Sequence, residues 1–224
     1  MKRLFAVIGL GRFGSAVAET LANSGAEVLA IDSDEAKVKA LSDVVTISVQ
    51  CEATDEKALR EAGVQNVDVA VVSIGENIEA SILVVMILKE IGVDQIIAKA
   101  VNELHGKILK HIGVTRVVYP ERDMAQRVAQ SLIRPAFLEQ IELSPEYSIV
   151  EMSAPSFLWD KTIRETNLRA EYGVSIIAIK RQYFIEGVKK ETWNINPSPD
   201  DVIQKEDVLV VLGANRDIEK ISSS

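Results

Sequence analysis

The sequence has few of the residues that form disulfide frameworks, metal centres or catalytic acid–base pairs. Its 224 residues include one cysteine, Cys51, and two histidines, His105 and His111. A single cysteine excludes an intrachain disulfide framework and favours a reducing, cytoplasmic setting. The two histidines fall on one predicted helix at a spacing that turns them in different directions. We therefore interpret both as surface residues and not as a catalytic pair or metal ligands.

Positive charge and long apolar runs are also scarce. The 25 lysines and arginines face 33 aspartates and glutamates, which gives a formal net charge of −8. Because cationic contacts to phosphates provide most of the affinity for nucleic acids, this balance argues against a nucleic-acid polymer as partner. The longest uncharged apolar stretch in a helical pattern is 80–88. It is far shorter than the about 20 residues that a membrane-spanning helix needs, so we expect a soluble chain.

Short strand-like runs alternate with helical patterns over the first half of the chain. Continuous runs rich in valine and isoleucine, connected by helices, are typical of a parallel sheet that is covered on both faces. The predicted fold class is therefore α/β, with a Rossmann-type doubly wound parallel sheet. The predicted strands are 4–9, 27–32, 44–49, 67–74, 95–100 and 116–119, and the predicted helices are 13–24, 34–41, 55–62, 78–91 and 102–112.

The pattern changes after the sixth strand. A further helix is predicted over 120–135, where Pro135 stops it. A smaller α+β unit then follows, so the sequence predicts two domains, a nucleotide-binding domain over 1–135 and a regulatory domain over 136–224. Within the second domain the predicted strands lie near 148–153, 174–180 and 207–213, and the predicted helices are 161–168 and 215–221.

The stretch "FAVIGLGRFGSAVAETL" (5–21) is interpreted as a buried strand, a glycine-rich turn and the beginning of a helix. Gly9, Gly11 and Gly14 fit the pattern G-x-G-x-x-G. The first glycine of this pattern permits a tight turn, the second lets the backbone approach a phosphate, and the third lets the helix pack on the strand. Free N–H groups at the start of helix 13–24 would then hold the phosphate. The pattern predicts a nucleotide site.

Asp32 supports this interpretation. It follows Gly14 by 18 residues, at the end of the second strand. A carboxylate at that position suits hydrogen bonds from ribose hydroxyls and repels a 2′-phosphate. The alternative is a glycine turn without a ligand, in which Asp32 caps helix 34–41.

Two further charged residues each have two interpretations. Arg12, inside the glycine turn, either reaches a terminal phosphate, including one bound to a neighbouring subunit, or is solvated at the mouth of the turn. Glu121, in "YPERDMA" at the start of helix 120–135, is either an ordinary partner of the helix dipole or a support for a cation next to bound phosphates.

Candidate catalytic groups are missing. A nicotinamide-dependent dehydrogenase needs an acid or a base beside the nicotinamide. Residues 145–224 contain neither histidine nor cysteine. Cys51 follows the third strand without a cationic partner to activate it, and we interpret it as part of a pocket wall or as a buried thiol. These absences argue against an enzyme.

Several segments occur together in this sequence: "FAVIGLGRFG", "VLAID", "SIGEN", "IIAKA", "IGVTRVVYPERDMAQRVAQSL" and, in the tail, "LRAEYGVSIIAIKR" and "NPSPDDVIQKEDVLVVLG". With this combination the chain resembles the RCK-domain regulatory subunits of Ktr/Trk-type bacterial potassium uptake systems, and most of all their KtrA branch. The resemblance extends from the first strand to the last.

The resemblance implies an RCK N-terminal domain over 1–135 and a TrkA-C-like RCK C-terminal domain over 136–224. It implies a cytoplasmic, non-enzymatic subunit at the inner face of the cell membrane. Dimers of such subunits would assemble into an octameric ring under a membrane potassium-transporting subunit of the KtrB or TrkH type. Exchange of ATP for ADP would switch the ring. An NAD(H)-dependent oxidoreductase and an NAD(H)-sensing regulator remain the alternatives.

The same resemblance assigns roles to individual residues. The phosphates would face Gly9, Gly11 and Gly14, the ribose would face Asp32, and Arg12 would approach the terminal phosphate from the partner subunit. Glu121 would hold Mg²⁺ or Ca²⁺ at the subunit interface. The other expected nucleotide contacts are Phe13, Ser33, Cys51, Glu52, Ala53, Ile74, Gly75, Asn77 and Lys99. Some relatives bind cyclic di-AMP near "NLRAEYGVSI", for which the candidate contacts here are Ile163, Arg169 and Ile176.

Overall fold

Residues 3–133, 136–185 and 188–222 are described by the computed structural model. The chain divides into two compact units, the first ending at Met124 and the second starting at Ala125. The division falls inside helix α6, which runs from Pro120 to Ile133. The predicted end of this helix at Pro135 lies outside the described residues.

The first unit contains a six-stranded sheet in the order β3-β2-β1-β4-β5-β6, and every neighbouring pair is parallel. The order reverses direction at β1, as in a doubly wound sheet. The predicted fold class is confirmed. The strands are β1 Leu4–Ile8, β2 Glu27–Asp32, β3 Ile47–Gln50, β4 Val69–Val72, β5 Gln95–Lys99 and β6 Arg116–Val118, and the helices that follow them are α1 Arg12–Asn23, α2 Glu35–Leu41, α3 Glu56–Glu61, α4 Ile78–Ile91, α5 Glu103–Ile112 and α6.

Apolar side chains cover both faces of this sheet. Alternate residues of β1 separate into two cores, so that Ala6 and Ile8 belong to one cluster and Val7 belongs to the other. All three side chains are fully buried. Burial on both faces explains why the parallel strands are continuous apolar runs in the sequence. Because the helices pack on this rigid sheet, the loops at the carboxyl ends of its strands are held in place.

The second unit contains an antiparallel sheet in the order β10-β9-β11-β8-β7. One apolar cluster, which includes Met152, Leu209 and Ile218, covers one face of this sheet. This arrangement is the predicted α+β unit. Its strands are β7 Phe137–Glu142, β8 Tyr147–Ser153, β9 Ser175–Ile185, β10 Val188–Ile195 and β11 Val208–Ala214, and its helices are α7 Ile163–Thr166, α8 Leu168–Tyr172 and α9 Asn215–Ser222.

Several predicted element boundaries differ from the structure. Strand β3 begins at Ile47 and not at residue 44, and the Thr46 side-chain hydroxyl accepts the Val28 N–H at 3.0 Å in place of a strand carbonyl. The helix predicted over 161–168 is interrupted at Asn167, whose φ of +48° is left-handed. Strands β7 and β10 were not predicted. Both lie at the edges of their sheet, where exposed strands lack a continuous apolar pattern.

The longest described helices, α4 and α6, have 14 residues each. Within residues 3–133, 136–185 and 188–222, no helix combines the length and the apolar character needed to cross a membrane.

Candidate functional site

The glycine turn joins β1 to α1 by a close backbone contact. Gly9 has a φ of +92°, and its N–H donates to the carbonyl oxygen of Ile31 at 2.8 Å. A Cβ atom on Gly14 would overlap the carbonyl oxygen of Gly9, so only glycine lets the helix start this close to the strand. A Cβ atom on Gly11 would meet no atom within 4 Å. The open side of the turn is therefore at Gly11, as the predicted phosphate contact requires.

The start of α1 differs from the starts of the next four helices. Helices α2 to α5 are capped by the side chains of Asp34, Asp55, Asn77 and Asn102, and each has a glutamate in its first turn. Helix α1 follows Gly11, with no side-chain cap and no acidic residue in its first turn. Its first N–H groups and the positive end of its dipole are thus left without the anionic partner that the other helices have.

Arg12 is the first residue of α1 and is exposed. The described contacts include no hydrogen bond or ion pair of its guanidinium group. A cation at a helix start is electrostatically unfavourable unless an anion accompanies it. Phe13 is half-buried and packs against the core on one face of the sheet, which gives it a structural role whether or not it contacts a ligand.

Asp32 braces the glycine turn. The Oδ2 atom of Asp32 accepts the Leu10 N–H at 2.6 Å. The Oδ1 atom accepts the Asp34 N–H at 2.9 Å and lies 3.5 Å from the Lys37 ammonium group. Asp32 is only 9% exposed. The expected cap of α2 by Asp32 is wrong, because the Asp34 carboxylate accepts the Ala36 N–H and is the cap.

The residues after β3 lie beside Asp32. The Cys51 N–H donates to the Asp32 carbonyl oxygen at 3.1 Å. Burial, followed by the carboxylates of Glu52 and Asp55, raises the pKa of the Cys51 thiol, so it stays protonated at neutral pH and is not an activated nucleophile. Ala53 is buried, and Glu52 uses its carboxylate to accept from the Thr54 hydroxyl at 3.0 Å.

Three other residues predicted to contact the nucleotide, Ile74, Asn77 and Ser33, lie at different places in the first unit. A Cβ atom on Gly9 would lie 3.1 Å from Ile74, which places Ile74 against the glycine turn. Asn77 caps α4 by accepting the Ala80 N–H at 3.0 Å. Ser33 is exposed, and its carbonyl oxygen accepts from the Gln50 side chain at 3.1 Å.

Lys99, at the end of β5, joins the β4–α4 loop to the start of α6. Its ammonium group donates to a carboxylate oxygen of Glu121 at 2.6 Å, and a Cβ atom on Gly75 would lie 3.3 Å from its Cε and Nζ atoms. The hydrogen bond from Lys99 is the main cause that lowers the pKa of Glu121. Among the described residues, no group of three or more histidine, cysteine or carboxylate side chains could hold a metal ion. At Glu121, the described part of the chain therefore offers a cation fewer than three such groups, and one oxygen of the Glu121 carboxylate already accepts from Lys99.

The interpretation of both histidines as surface residues is wrong for His105. His111 is exposed, whereas His105 is 1% exposed and its Nε2 atom has no hydrogen-bond partner in the described part of the chain. The helix turns the two side chains apart as expected, but the face that carries His105 is the buried one. Burial lowers the pKa of His105.

The three residues predicted for cyclic di-AMP lie in the second unit. Ile163 and Ile176 are partly buried against the same apolar cluster. Arg169 is exposed on α8. Core packing explains the two isoleucines, while Arg169 remains available to an anion.

Two contacts of the site were not predicted from the sequence. Lys37 approaches Asp32, and Lys99 pairs with Glu121. Lys37 follows Asp32 by five residues and lies on α2, so a lysine soon after the strand-end aspartate could have indicated the first pair. No local signal indicates the second pair, because its members are 22 residues apart and meet only when β5 and β6 align.

Known proteins share both halves of this architecture. A family model described as the TrkA-N domain matches residues 5–120, and one described as the TrkA-C domain matches residues 147–224. The Ktr system potassium uptake proteins C and A of Bacillus subtilis (strain 168) are 44% and 42% identical to this chain. The alignments cover 98% of this chain in both cases, and 96% and 95% of those proteins.

Solved structures show the same fold. The GsuK RCK domain aligns with 99% of this chain and 46% of its own chain, with a TM-score of 0.55 and 24% identity. The GsuK channel bound to NAD aligns with 99% of this chain and 38% of its own, with a TM-score of 0.54 and 24% identity. This chain therefore spans less than half of either solved chain. The predicted membership is confirmed: the chain belongs to the RCK-domain subunits of Ktr/Trk-type potassium uptake systems, which carry a TrkA-N and a TrkA-C domain.

Proposed function

We propose that this protein is a non-enzymatic regulatory subunit that binds a nucleotide at its glycine turn and controls a membrane potassium transporter. The observation that carries the proposal is the start of α1. Its N–H groups are uncapped and open at Gly11, and Arg12 adds positive charge. A phosphate would supply the anion that a side chain supplies in helices α2 to α5.

The ligand that suits this site best is ATP or ADP. Asp32 lies at the end of β2, where a carboxylate can accept from ribose hydroxyls and would repel a 2′-phosphate. Arg12, which would reach the nucleotide bound to the neighbouring subunit, would add an attraction that depends on the number of phosphates present. ATP and ADP would then differ in affinity, and that difference could shift a conformational equilibrium. NAD⁺ and NADH share the adenosine ribose and are the alternative ligands.

The relatives support the proposed membrane partner. This chain aligns with potassium uptake proteins of B. subtilis over nearly their whole length. The proposed partner is therefore a membrane potassium-transporting subunit of the KtrB or TrkH type. The protein would work as dimers in an octameric ring, attached peripherally to the inner face of the membrane, with Arg12 facing the nucleotide of the neighbouring subunit. Mg²⁺ or Ca²⁺ at Glu121 would need further oxygen atoms from the phosphates and would have to compete with the Lys99 ammonium group. Cyclic di-AMP near Arg169 would be a second signal.

Calorimetric titration of the protein with ATP, ADP, NAD⁺ and NADH tests the proposed function. We expect binding of ATP and ADP, without consumption of either nucleotide on prolonged incubation. Strong binding of NADH without binding of ATP would contradict the proposed ligand. Oxidation of NADH in the presence of a substrate would contradict the regulatory role as a whole.

A further inference from the structure

A lysine ammonium group occupies the carboxylate at which the proposed function places a metal ion. Lys99 and Glu121 are joined by a hydrogen-bonded ion pair of 2.6 Å. The Lys99 side chain is 15% exposed, whereas that of Glu121 is 70% exposed. Lys99 is therefore largely enclosed, and Glu121 is the only partner of its ammonium group among the described contacts.

The Lys99 side chain lies against the loop between β4 and α4. It is the last residue of β5, and its stem passes Gly75, where a Cβ atom would lie 3.3 Å from both Cε and Nζ. That distance is tighter than an ordinary contact, so glycine at this position leaves just enough room for the lysine. The ammonium group is thus held at the carboxyl edge of the parallel sheet, the edge at which ligands bind in open α/β folds.

The charge at this point is balanced without a metal ion. The Lys99 ammonium group lies 2.6 Å from a carboxylate oxygen of Glu121, so this carboxylate is paired with a cation from its own chain. No cluster of metal-binding side chains accompanies it in the ranges that the structure describes. Lys99 engages only the Oε1 atom of Glu121, so a divalent ion at the Oε2 atom would have to lie close to the positive charge of the Lys99 ammonium group.

We propose that Lys99 is a built-in cation that competes with divalent metal ions for Glu121, so that this protein binds its nucleotide with little dependence on Mg²⁺ or Ca²⁺. This inference rests on the proposed nucleotide function and concerns the same site. With Lys99 present, one positive charge always faces the phosphates and Glu121. Without it, the free carboxylate and the phosphate oxygens together would form a site that a divalent ion must fill.

The test compares nucleotide affinity with and without a divalent ion. ADP and ATP are titrated calorimetrically into the full-length protein, once in EDTA and once in Ca²⁺, for the wild type and for Lys99→Gln. Hydrogen bonds to charged groups correspond to about 10- to 100-fold in a binding constant. We expect Ca²⁺ to change the wild-type affinity by less than about 3-fold and to raise the Lys99→Gln affinity by about 10-fold or more.

Three further variants make the result specific. Lys99→Arg keeps the charge and should keep the weak Ca²⁺ dependence of the wild type. Lys57→Gln removes the exposed ion pair with Glu61 on α3, at 3.8 Å, and should also behave like the wild type. Adding Glu121→Gln to Lys99→Gln should abolish the gained Ca²⁺ dependence. Melting curves of all variants show whether they are folded.

The outcomes separate the two proposals. A wild type that binds no nucleotide contradicts the proposed function and, with it, the inference. A wild type that binds nucleotide with the same Ca²⁺ dependence as Lys99→Gln contradicts the inference alone. If Lys99→Gln does not fold, two other single variants, Lys99→Arg and Glu121→Gln, are titrated in its place. The inference then requires the first to keep the wild-type dependence and requires the second to show no Ca²⁺ effect.

Discussion

Alanine at Gly14 tests the packing role of the glycine turn. The added Cβ would overlap the carbonyl oxygen of Gly9 and lie 3.1 Å from the Cβ of Ser73. Because the first of these atoms belongs to the backbone, no change of rotamer relieves the overlap, and α1 must move away from β1. Overpacking of this kind costs about 1–3 kcal/mol, and about 1 kcal/mol lowers Tm by about 2–4 °C in a chain of this size. We expect Gly14→Ala to lower Tm by about 3–10 °C in scanning calorimetry.

Gly11→Ala is the matched control for this prediction. Gly11 has an extended backbone (φ −72°, ψ −174°), and a Cβ there would meet open space. Alanine is a poorer N-cap than glycine, which lowers the free energy of unfolding, but it also restricts the unfolded chain more, which raises it. These two effects on stability nearly cancel. We expect Tm to stay within about 2 °C of the wild type and the ATP affinity to fall about 10-fold or more, because the methyl group occupies the side that the phosphate would approach. Equal losses of Tm in both variants, or wild-type ATP affinity in Gly11→Ala, would refute this reasoning.

Two predictions concern buried polar groups. Asp32→Ala removes the acceptor of the Leu10 N–H and should lower the free energy of unfolding by about 1.5–3 kcal/mol in urea, while Asp32→Asn, which keeps one acceptor oxygen, should lose less. An asparagine as costly as alanine would contradict the bracing role. Because burial lowers the pKa of His105, the unfolded chain takes up a proton more readily than the native one. Neutral His105 therefore contributes to the free energy of unfolding at pH values above its ordinary pKa, and this contribution is lost as the pH falls below about 6.5. His105→Phe should reduce the fall in Tm between about pH 7 and pH 5, whereas His111→Gln should leave that fall unchanged. Equal dependence of Tm on pH in the wild type and in His105→Phe would contradict this role of His105.

The parallel sheet could be predicted from the sequence because its strands are buried on both faces. Val69–Val72 is wholly apolar and buried, and such a run has few alternative structures. The edge strand β10, "VKKETWNI", carries three charged residues and gives no such signal. The interruption at Asn167 depends on a left-handed backbone that a helical pattern does not reveal.

The candidate site could be predicted where its residues are close in sequence or share a motif. Gly9, Gly14 and Asp32 meet as the motif requires, since the turn and the strand end are neighbours in the sheet. The pairing of Lys99 with Glu121 depends on the alignment of β5 with β6 and on the room left at Gly75, neither of which a linear pattern contains. The burial of His105 depends in the same way on which face of α5 packs against the sheet.

The ratio of ATP affinity to ADP affinity tests most directly whether the site distinguishes nucleotides by their phosphates. Both nucleotides are titrated into the wild type and into Arg12→Ala in the same buffer. A charge-assisted hydrogen bond to the terminal phosphate corresponds to about 10- to 100-fold in affinity. The account predicts that Arg12→Ala loses about that much for ATP and clearly less for ADP, so that the ratio falls toward that of a site without the arginine. Equal losses for ATP and ADP, with an unchanged ratio, would contradict the role assigned to Arg12.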